Sequence, residues 1–315
     1  MSLKGRDLLT LMDWSSEEIF EVLNLADRLK KEREEGKEHN LLKGQTLGMI
    51  FQKASTRTRI SFEVAMWQLG GYALFLNPQD LQMGRGEPIK DTARVLSRYL
   101  EGIMIRTFSH QEVEELAYYS EVPVINGLTD SFHPCQALAD IQTIREYKGD
   151  LKGLKVVYLG DGNNVAHSLM LACAKTGINV VVASPVGYEP KGEVVEKGLQ
   201  DRLDPQSQVV VTNDPHEALE GADAVYTDVW ASMGQEGEQE ERLKVFKPYQ
   251  LNLKMLKKAK EEAIVLHCLP AHRGEELTEE VMESSQSVVW DQAENRLHAQ
   301  KSVLSLVMGN NMDQV

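Results

Sequence analysis

The residues with the clearest chemical potential are Ser55-Thr56-Arg57-Thr58-Arg59, which lie between a predicted strand and a predicted helix. An apolar run at residues 46–51 predicts a buried strand, and residues 60–69 have the pattern of a helix that stops at Gly70-Gly71. Ser55 is a typical helix N-cap, so the hydroxyl and guanidinium groups lie where unsatisfied backbone N–H groups point outward. Because a helix start attracts anions, the motif predicts a phosphate site. Taken alone, the pattern fits a capped helix with two surface arginines equally well.

Two further motifs contain a histidine that follows or ends a predicted strand. In His133-Pro134-Cys135-Gln136, His133 can donate a hydrogen bond to a carbonyl oxygen and Gln136 can accept one from an amide, which suits a carbamoyl group. In His267-Cys268-Leu269-Pro270, Cys268 is a candidate nucleophile or substrate contact. A single histidine before a helix is more often a cap or a packed residue, and a lone cysteine is more often a buried thiol. Each motif alone is therefore a weak signal.

The stretch Gly160-Asp161-Gly162-Asn163-Asn164-Val165 begins like a dinucleotide-binding fingerprint. Val165 replaces the third glycine, and the next predicted strand ends in Ala183-Ser184 without an acid for a ribose. The sequence also has no Gly-x-x-x-x-Gly-Lys-Ser/Thr motif, so neither NAD binding nor nucleotide phosphoryl transfer is predicted. The two asparagines could present amides to a small polar substrate, or the stretch could be a plain turn into a helix.

Two polar, glycine-containing stretches are candidates for mobile loops. Residues 83–88 lie beside Gln82, and residues 232–238 follow Asp228 closely. Both also fit ordinary surface turns. Arg296 lies where the last predicted helix begins, so it either caps that helix or turns toward a ligand.

Short apolar strands alternate with helical patterns along the chain. In the first half, strands are predicted at residues 46–51, 72–76, 102–106 and 122–126, and helices at 15–31, 60–69, 89–99 and 134–147. In the second half, strands are predicted at residues 155–159, 179–183, 208–212, 224–228, 263–267 and 287–290, with helical patterns between most of them and a last helix at 292–308. This alternation predicts parallel sheets with helices on both faces.

The length of 315 residues and a composition break at residues 148–153 predict two domains. The predicted fold is α/β, with two doubly wound parallel-sheet domains at residues 1–148 and 149–291 and a C-terminal helix, 292–315, that packs back on the first. In such sheets ligands bind at the carboxyl ends of the strands. The candidate residues of both halves follow strand ends, which predicts one cleft between the domains.

Composition excludes several classes of protein. A net charge of −14 without a basic stripe argues against a nucleic-acid partner. The N-terminal residues have no apolar signal core, and no apolar run is long enough to span a bilayer. Three widely spaced cysteines predict reduced thiols in a cytoplasmic protein, with neither a disulfide framework nor a zinc site.

In combination, the motifs resemble those of the transcarbamoylase family, the carbamoyltransferases, along nearly the whole chain. The matching signatures occur in order and at compatible spacing: Ser55-Thr56-Arg57-Thr58-Arg59, His133-Pro134-x-Gln136 and His267-Cys268-Leu269-Pro270. Asp228-x-x-x-Ser232-Met233-Gly234, together with Cys268-Leu269, is similar to the members that use ornithine. Several independent motifs in one order are not expected by chance.

This resemblance implies carbamoyl transfer from carbamoyl phosphate to an amine, with no metal and no organic cofactor because the phosphate leaving group is already activated. It implies a phosphate site made by Ser55, Thr56, Arg57, Thr58, Gln82 and Arg296, with Gln82 on a loop that can serve a neighbouring subunit. It implies that Arg106 bridges phosphate and carbonyl oxygen, that His133 polarises the carbonyl with Thr58 and Arg106, and that Cys268 lies at the reacting carbon. Gln136 and the backbone carbonyls of Cys268 and Leu269 fix the carbamoyl amide.

For the acceptor, the resemblance implies L-ornithine, with L-citrulline and phosphate as products. Asp228 suits the α-ammonium, Asn164 either α-group, and Ser232 with the Met233 backbone the carboxylate. Aspartate would need paired basic residues where this chain has acids, and putrescine lacks the carboxylate. Transfer to one of these amines and an inactive amino-acid-binding regulator are the alternatives. The family further implies a homotrimer or an assembly of trimers.

Overall fold

The computed structural model describes residues 2–231 and 236–309. The chain forms two compact units: unit 1 comprises Met1–Gln142 and Asn295–Val315, and unit 2 comprises Thr143–Glu294. The predicted α/β class with two parallel sheets is confirmed. The boundary predicted from composition lies at residues 148/149, whereas this division lies between Gln142 and Thr143. The predicted domain boundary stays a prediction.

Unit 1 contains a 4-stranded sheet in the order β2-β1-β3-β4, and every pairing is parallel. Its strands are β1 (Thr46–Phe51), β2 (Tyr72–Leu76), β3 (Gly102–Arg106) and β4 (Val124–Leu128). Its helices are α1 (Ser16–Glu34), α2 (Thr56–Gln68), α3 (Ile89–Leu96), α4 (His110–Tyr119) and the first part of α5 (Pro134–Lys148). The strand order reverses between β1 and β3, which is where a doubly wound sheet binds its ligand.

Unit 2 contains a 5-stranded parallel sheet in the order β7-β6-β5-β8-β9. Its strands are β5 (Lys155–Leu159), β6 (Asn179–Ala183), β7 (Val209–Thr212), β8 (Ala224–Thr227) and β9 (Ile264–His267). Its helices are α6 (Asn164–Thr176), α7 (Gly192–Gln200), α8 (Pro215–Leu219), α9 (Gln239–Phe246), α10 (Leu253–Leu256), α11 (Glu279–Met282) and the start of α12 (Val289–Met308). The order reverses between β5 and β8, the second expected ligand position.

The apolar strand runs form the cores because parallel strands are covered on both faces. In unit 1 the core includes Ile50, Ile103, Ile105 and Val124 from three adjacent strands. In unit 2 it includes Val157, Val181, Val225 and Val265, and also Val289 at the start of α12. The carboxyl ends of the strands, which carry the polar residues, are thereby held on rigid supports.

The last part of α12 packs on unit 1, as predicted for the C-terminal helix. Ser302 Oγ donates to the Val22 carbonyl oxygen in α1 (2.7 Å), and Lys30 Nζ donates to Asn295 Oδ1 (2.9 Å). A Cβ atom on Gly102, at the start of β3, would lie 2.8 Å from Met308 Sδ, so glycine permits the close approach.

The strand predicted at residues 287–290 is wrong. Ser287 makes only an isolated bridge to Val265, and α12 already begins at Val289. The run of apolar residues is short, and such a run fits a buried helix start as well as a strand. Within the described residues, no helix is both long enough and apolar enough to cross a membrane.

Candidate active site

The start of α2 has the local structure predicted for an anion site. Ser55 is extended (φ −161°, ψ 118°), and its hydroxyl accepts a hydrogen bond from the Thr58 N–H at 3.2 Å. The first turn contains no acidic residue, so the positive end of the 13-residue helix is not neutralised locally. Thr58 is buried, and Arg57 is half-buried. Arg59 instead points along the helix, with Nε 2.9 Å from Glu63 Oε1.

Arg296 of α12 joins two of the predicted site residues in unit 1. Its guanidinium donates to Gln136 Oε1 at 2.6 Å and to Thr58 Oγ1 at 3.2 Å. The Gln136 side chain also donates from Nε2 to Asp140 Oδ1 at 2.8 Å. This network fixes the Gln136 amide with its carbonyl oxygen toward the arginine, and it brings α2, α5 and α12 together at one point.

His133 lies buried immediately before Pro134, the first residue of α5. Its pKa lies well below the ordinary value because burial disfavours the cation, and the charges of Arg296, Arg106 and Arg57 disfavour it further. His133 is therefore neutral at physiological pH, and the neutral ring keeps one N–H to donate. The three arginines that lower the pKa of His133 are the same three that are predicted to surround carbamoyl phosphate.

Gln82 is the predicted donor-site residue that stands apart within unit 1. It is exposed, and it is the first residue of a 3-10 turn, Gln82–Arg85. The backbone carbonyl oxygen of Gln82 accepts hydrogen bonds from the N–H groups of Gly86 and Glu87. Its described hydrogen bonds therefore stay inside its own turn.

In unit 2, Asp228 follows β8 at the point where the strand order reverses. Its Oδ2 accepts from Asn163 Nδ2 (3.0 Å), and its Oδ1 accepts from Cys268 Sγ (3.0 Å). Asn164 is the buried first residue of α6. The predicted residues Asp228, Asn164 and Cys268 thus come from the ends of three neighbouring strands, whereas Ser232 and Met233 lie outside the described residues.

Asn163 and Asn164 are both candidates for presenting an amide to a substrate, but only Asn164 was placed in the predicted acceptor site. Asn163 Oδ1 caps α6 by accepting from the N–H groups of Val165 (2.9 Å) and Ala166 (3.2 Å), which leaves the amide nitrogen for Asp228. Tyr158 also donates its hydroxyl to Asn163 at 3.3 Å. Burial, and then the charges of Asp228, Asp161 and Cys268, hold the pKa of Tyr158 well above its usual value. The available signal was the preference for asparagine at N-caps.

The backbone after β9 is held in an unusual conformation. Leu269 has a positive φ of 59°, which is costly for a residue with a branched side chain. Its N–H donates to His267 Nδ1 (2.9 Å), so the imidazole proton is assigned to Nε2, which donates to Glu276 Oε1 (3.0 Å). His267 and Glu276 are both buried, and together they orient the Cys268-Leu269 backbone. Nothing in the sequence singles out Glu276.

Arg242 of α9 forms charged hydrogen bonds with three separate parts of unit 2. It donates to Asp161 Oδ2 (2.9 Å), to the Trp230 carbonyl oxygen (2.8 Å) and to Glu238 Oε2 (3.0 Å). Burial raises the pKa of Asp161, while the Arg242 charge opposes that rise. Arg242 was not predicted, because its buried partner Asp161 lies 81 residues away in the sequence.

Among the residues that the structure describes, two groups of side chains carry metal-ligand atoms within 4.8 Å of one another: Asp228, His267 and Cys268, and then His272, Glu275 and Glu276. The first set has donor types that suit zinc. In the structure, however, Cys268 donates to Asp228, and His267 donates to Glu276.

Comparison with known proteins covers almost the whole chain. Residues 6–146 match the family model described as aspartate/ornithine carbamoyltransferase, carbamoyl-P binding domain, and residues 152–307 match the Asp/Orn binding domain of that family. The ornithine carbamoyltransferase of Thermococcus kodakarensis is 60% identical over 309 residues, covering 98% of each chain. A protein of Pyrococcus furiosus named ornithine carbamoyltransferase, anabolic, is also 60% identical, with the same coverage. The solved structure of ornithine carbamoyltransferase from Pyrococcus furiosus superposes with a TM-score of 0.96, covering 99% of each chain.

Proposed function

The chain belongs to the aspartate/ornithine carbamoyltransferase family, and we propose on this premise that it transfers the carbamoyl group of carbamoyl phosphate to the side-chain amine of L-ornithine. The products are L-citrulline and phosphate. The observation that carries the proposal is the neutral, buried His133 among Arg57, Arg106 and Arg296 in unit 1. This arrangement suits a phosphate leaving group beside a carbonyl oxygen that becomes negative.

The donor's phosphate is bound by Ser55, Thr56, Arg57 and Thr58 at the start of α2. Backbone N–H groups and the helix dipole favour a dianion there, and the absence of an acid in the first turn supports this assignment. Arg296 contributes a further positive charge beside Thr58. Guanidinium groups can bind phosphate through two hydrogen bonds at once.

The carbonyl oxygen is polarised by His133, Arg106 and Thr58. As the amine attacks the carbon, negative charge develops on this oxygen, and fixed hydrogen-bond donors stabilise it. A neutral imidazole donates without adding a titrating cation. The carbon–oxygen bond to phosphate then breaks, and Arg57 and Arg106 neutralise the departing charge. The attacking nitrogen loses its extra proton, which the departing phosphate takes up.

The carbamoyl amide is fixed by Gln136 and by the backbone carbonyls of Cys268 and Leu269. The Gln136 side chain is oriented by Arg296 and Asp140, and the Leu269 backbone by His267. Each of these groups offers an oxygen that can accept a hydrogen bond from an amide N–H, which is the role we propose for it, and Cys268 is proposed to contact the reacting carbon.

Ornithine is bound through its α-groups in unit 2. Asp228 binds the α-ammonium, Asn164 either α-group, and Ser232 with the Met233 backbone the carboxylate. Asp228 is prepared for this by Asn163 and Cys268, which hold one carboxylate oxygen each. The distal amine attacks in its neutral form.

The charges of unit 2 favour ornithine over the alternative amines. Asp161 and Glu238 lie with Asp228 on this side of the sheet, and the pKa of Asp161 is raised partly by the Asp228 charge. A second carboxylate, as in aspartate, would meet repulsion there. Putrescine would leave the carboxylate-binding groups without a partner.

The direction we assign is biosynthetic. Carbamoyl phosphate is an activated mixed anhydride, so its transfer to an amine is downhill, and the Pyrococcus furiosus relative carries the word anabolic in its name. The reduced cysteines Cys135, Cys173 and Cys268 support a reducing compartment, for which we propose the cytoplasm.

The oligomer assigned is a homotrimer or an assembly of trimers. Its support is an apolar face on unit 1, made by α2 and by β2 at the edge of the sheet. Trp67 is 77% exposed and Tyr72 64% exposed on this face. Large exposed apolar surfaces mark protein interfaces. The exposed Gln82 would then serve a neighbouring subunit.

Citrulline formation from carbamoyl phosphate tests the function, with ornithine, aspartate and putrescine offered in parallel. We expect carbamoylation of ornithine alone at comparable concentrations. An R57A variant serves as the matched protein with an impaired donor site. Preference for another amine would contradict the acceptor, whereas no transfer to any amine would contradict the enzyme itself.

A further inference from the structure

The turns that follow β1, β3 and β4 are connected to one another in unit 1. The Gln52 N–H donates to the Arg106 carbonyl oxygen (2.9 Å), and Thr107 Oγ1 donates to Gln52 Oε1 (2.8 Å). The Thr107 N–H in turn donates to the Leu128 carbonyl oxygen (3.0 Å). These are the turns that carry the phosphate loop, Arg106 and His133.

Lys53 makes the charged connection among these turns. It extends from the β1 turn, its side chain is only 5% exposed, and its ammonium forms an ion pair with Asp130 in the β4 turn. The ammonium also lies 4.2 Å from the ring centroid of Phe108 in the β3 turn. The Asp130 N–H completes the connection by donating to the Phe108 carbonyl oxygen (2.9 Å).

The sequence positions make this pair relevant to the donor. Lys53 lies two residues before Ser55, and Asp130 lies three residues before His133. A displacement of either turn would therefore move the phosphate loop relative to the histidine. An error of about 1 Å in such a placement is enough to slow a reaction by about a hundredfold.

Two roles for Lys53 can be distinguished by geometry. A lysine that binds phosphate would point its ammonium at the anion. Here Asp130 and Phe108 hold the ammonium, so its charge is already engaged within the protein. A buried cation needs such a partner, because an uncompensated charge in the interior is costly.

We propose that Lys53, acting through Asp130, is a positioning residue that holds the phosphate loop and His133 in register for the donor. The inference rests on the proposed carbamoyl transfer. Neither side chain touches the reacting atoms in this role. The prediction concerns donor binding, and the amine site in unit 2 is unaffected.

The test uses K53M, D130N and the K53M/D130N double variant in the full-length protein. Inorganic phosphate binding is measured by calorimetry without any amine, and kcat and KM are measured for carbamoyl phosphate and ornithine. We expect each single variant to weaken phosphate binding by about ten- to a hundredfold, and the double variant to be no weaker than K53M. We expect the KM for ornithine to stay within about twofold of wild type in all three variants. A tenfold loss of affinity corresponds to about 1.4 kcal/mol, so a twofold change is small by comparison.

Two controls accompany these variants. D130E keeps the carboxylate, and because the Asp130 side chain is 60% exposed the longer side chain fits, so it recovers most of the phosphate affinity. E121Q removes one carboxylate from the exposed Arg98–Glu121 pair of the same unit (3.5 Å) and leaves phosphate binding unchanged.

Several results would overturn the inference. If Lys53 binds phosphate directly, D130N binds phosphate as well as or better than wild type, because a nearby negative charge has been removed. The inference is also contradicted if the losses of phosphate affinity in the two single variants add up in the double variant. It is contradicted as well if the variants lose thermal stability and their KM rises equally for carbamoyl phosphate and ornithine. If the wild type forms citrulline but K53M and D130N bind phosphate as tightly as the wild type, the positioning role is wrong and the proposed function is unaffected. If phosphate binding changes across the variants as expected but the wild type forms no citrulline, the proposed function alone is wrong.

Discussion

At the scale of single residues, the neutral state of His133 decides what the site can do. Three arginines and burial would make an imidazolium there expensive. In the proposed reaction the neutral ring therefore acts as a hydrogen-bond donor to the developing negative charge and not as a general acid.

We expect H133A to lower kcat by about a hundred- to a thousandfold, because a donor to the developing oxyanion is removed. H133N keeps a donor and should lose much less. Steady-state kcat and KM for both substrates distinguish the cases, with little change expected in KM for ornithine. Equal losses in the two variants would show that His133 acts by packing.

The same depressed pKa predicts how stability depends on pH. Below the ordinary pKa of 6.5 the unfolded chain takes up a proton at His133, whereas the folded protein does not until its own, lower pKa is reached. Protonation thus favours unfolding, and this contribution to stability is lost as the pH falls below 6.5. Chemical denaturation at pH 7 and pH 5 should show a smaller loss for H133N than for wild type. An equal loss in both would mean that His133 titrates normally in the folded state.

Asp228 gives a residue-scale prediction about the acceptor. D228N keeps the shape but removes the charge that pairs with the α-ammonium. Charged hydrogen bonds contribute about 1.5–3 kcal/mol, so kcat/KM for ornithine should fall by about ten- to a hundredfold. Phosphate binding should be unchanged. E196Q removes an exposed carboxylate of the same unit and should leave both quantities unchanged. Wild-type kinetics in D228N would make Asp228 structural.

At the scale of elements, two helices of unit 1 allow a matched comparison of N-caps. Ser15 caps α1 and Ser55 caps α2, each by accepting from a backbone N–H of the first turn. S15A and S55A should each lower the free energy of unfolding by about 1 kcal/mol. Only S55A should also weaken phosphate binding, because only α2 presents its first turn to the donor. Similar phosphate affinities in S15A and S55A would remove the α2 terminus from the site.

The elements also show how far the sequence could be read. The strands β1, β2, β3, β5 and β6 have the predicted bounds, because each is an apolar run that ends at polar or glycine residues. The cap at Ser55 follows from local preferences. The contacts of Arg296 with Gln136 and Thr58, and of Glu276 with His267, depend on distant segments that local patterns do not encode. Helix α4 was not predicted, because its buried side is short and is carried mainly by Val113 and Leu116.

At the scale of the whole molecule, the apolar face of α2 and β2 predicts self-association. W67E places a charge on that face and should reduce the mass measured by light scattering to that of one chain, 35.4 kDa. Y118E changes a side chain that is 81% exposed elsewhere on unit 1 and should leave the mass unchanged. An unchanged mass in W67E would place the subunit interface elsewhere.

The discontinuity of unit 1 has a consequence for how a newly made chain matures. Unit 2 is one continuous segment, whereas unit 1 is completed only by the segment Asn295–Val315, which follows unit 2 in the sequence. Unit 1 needs both ends of the chain: the Gly5 N–H bonds to the Val307 carbonyl oxygen, and Arg296 arrives only with the C-terminal segment. Domains generally fold in the order in which they are completed. Unit 2 is thus complete earlier along the chain than unit 1, and the predicted phosphate site gains Arg296 only with the segment that completes unit 1.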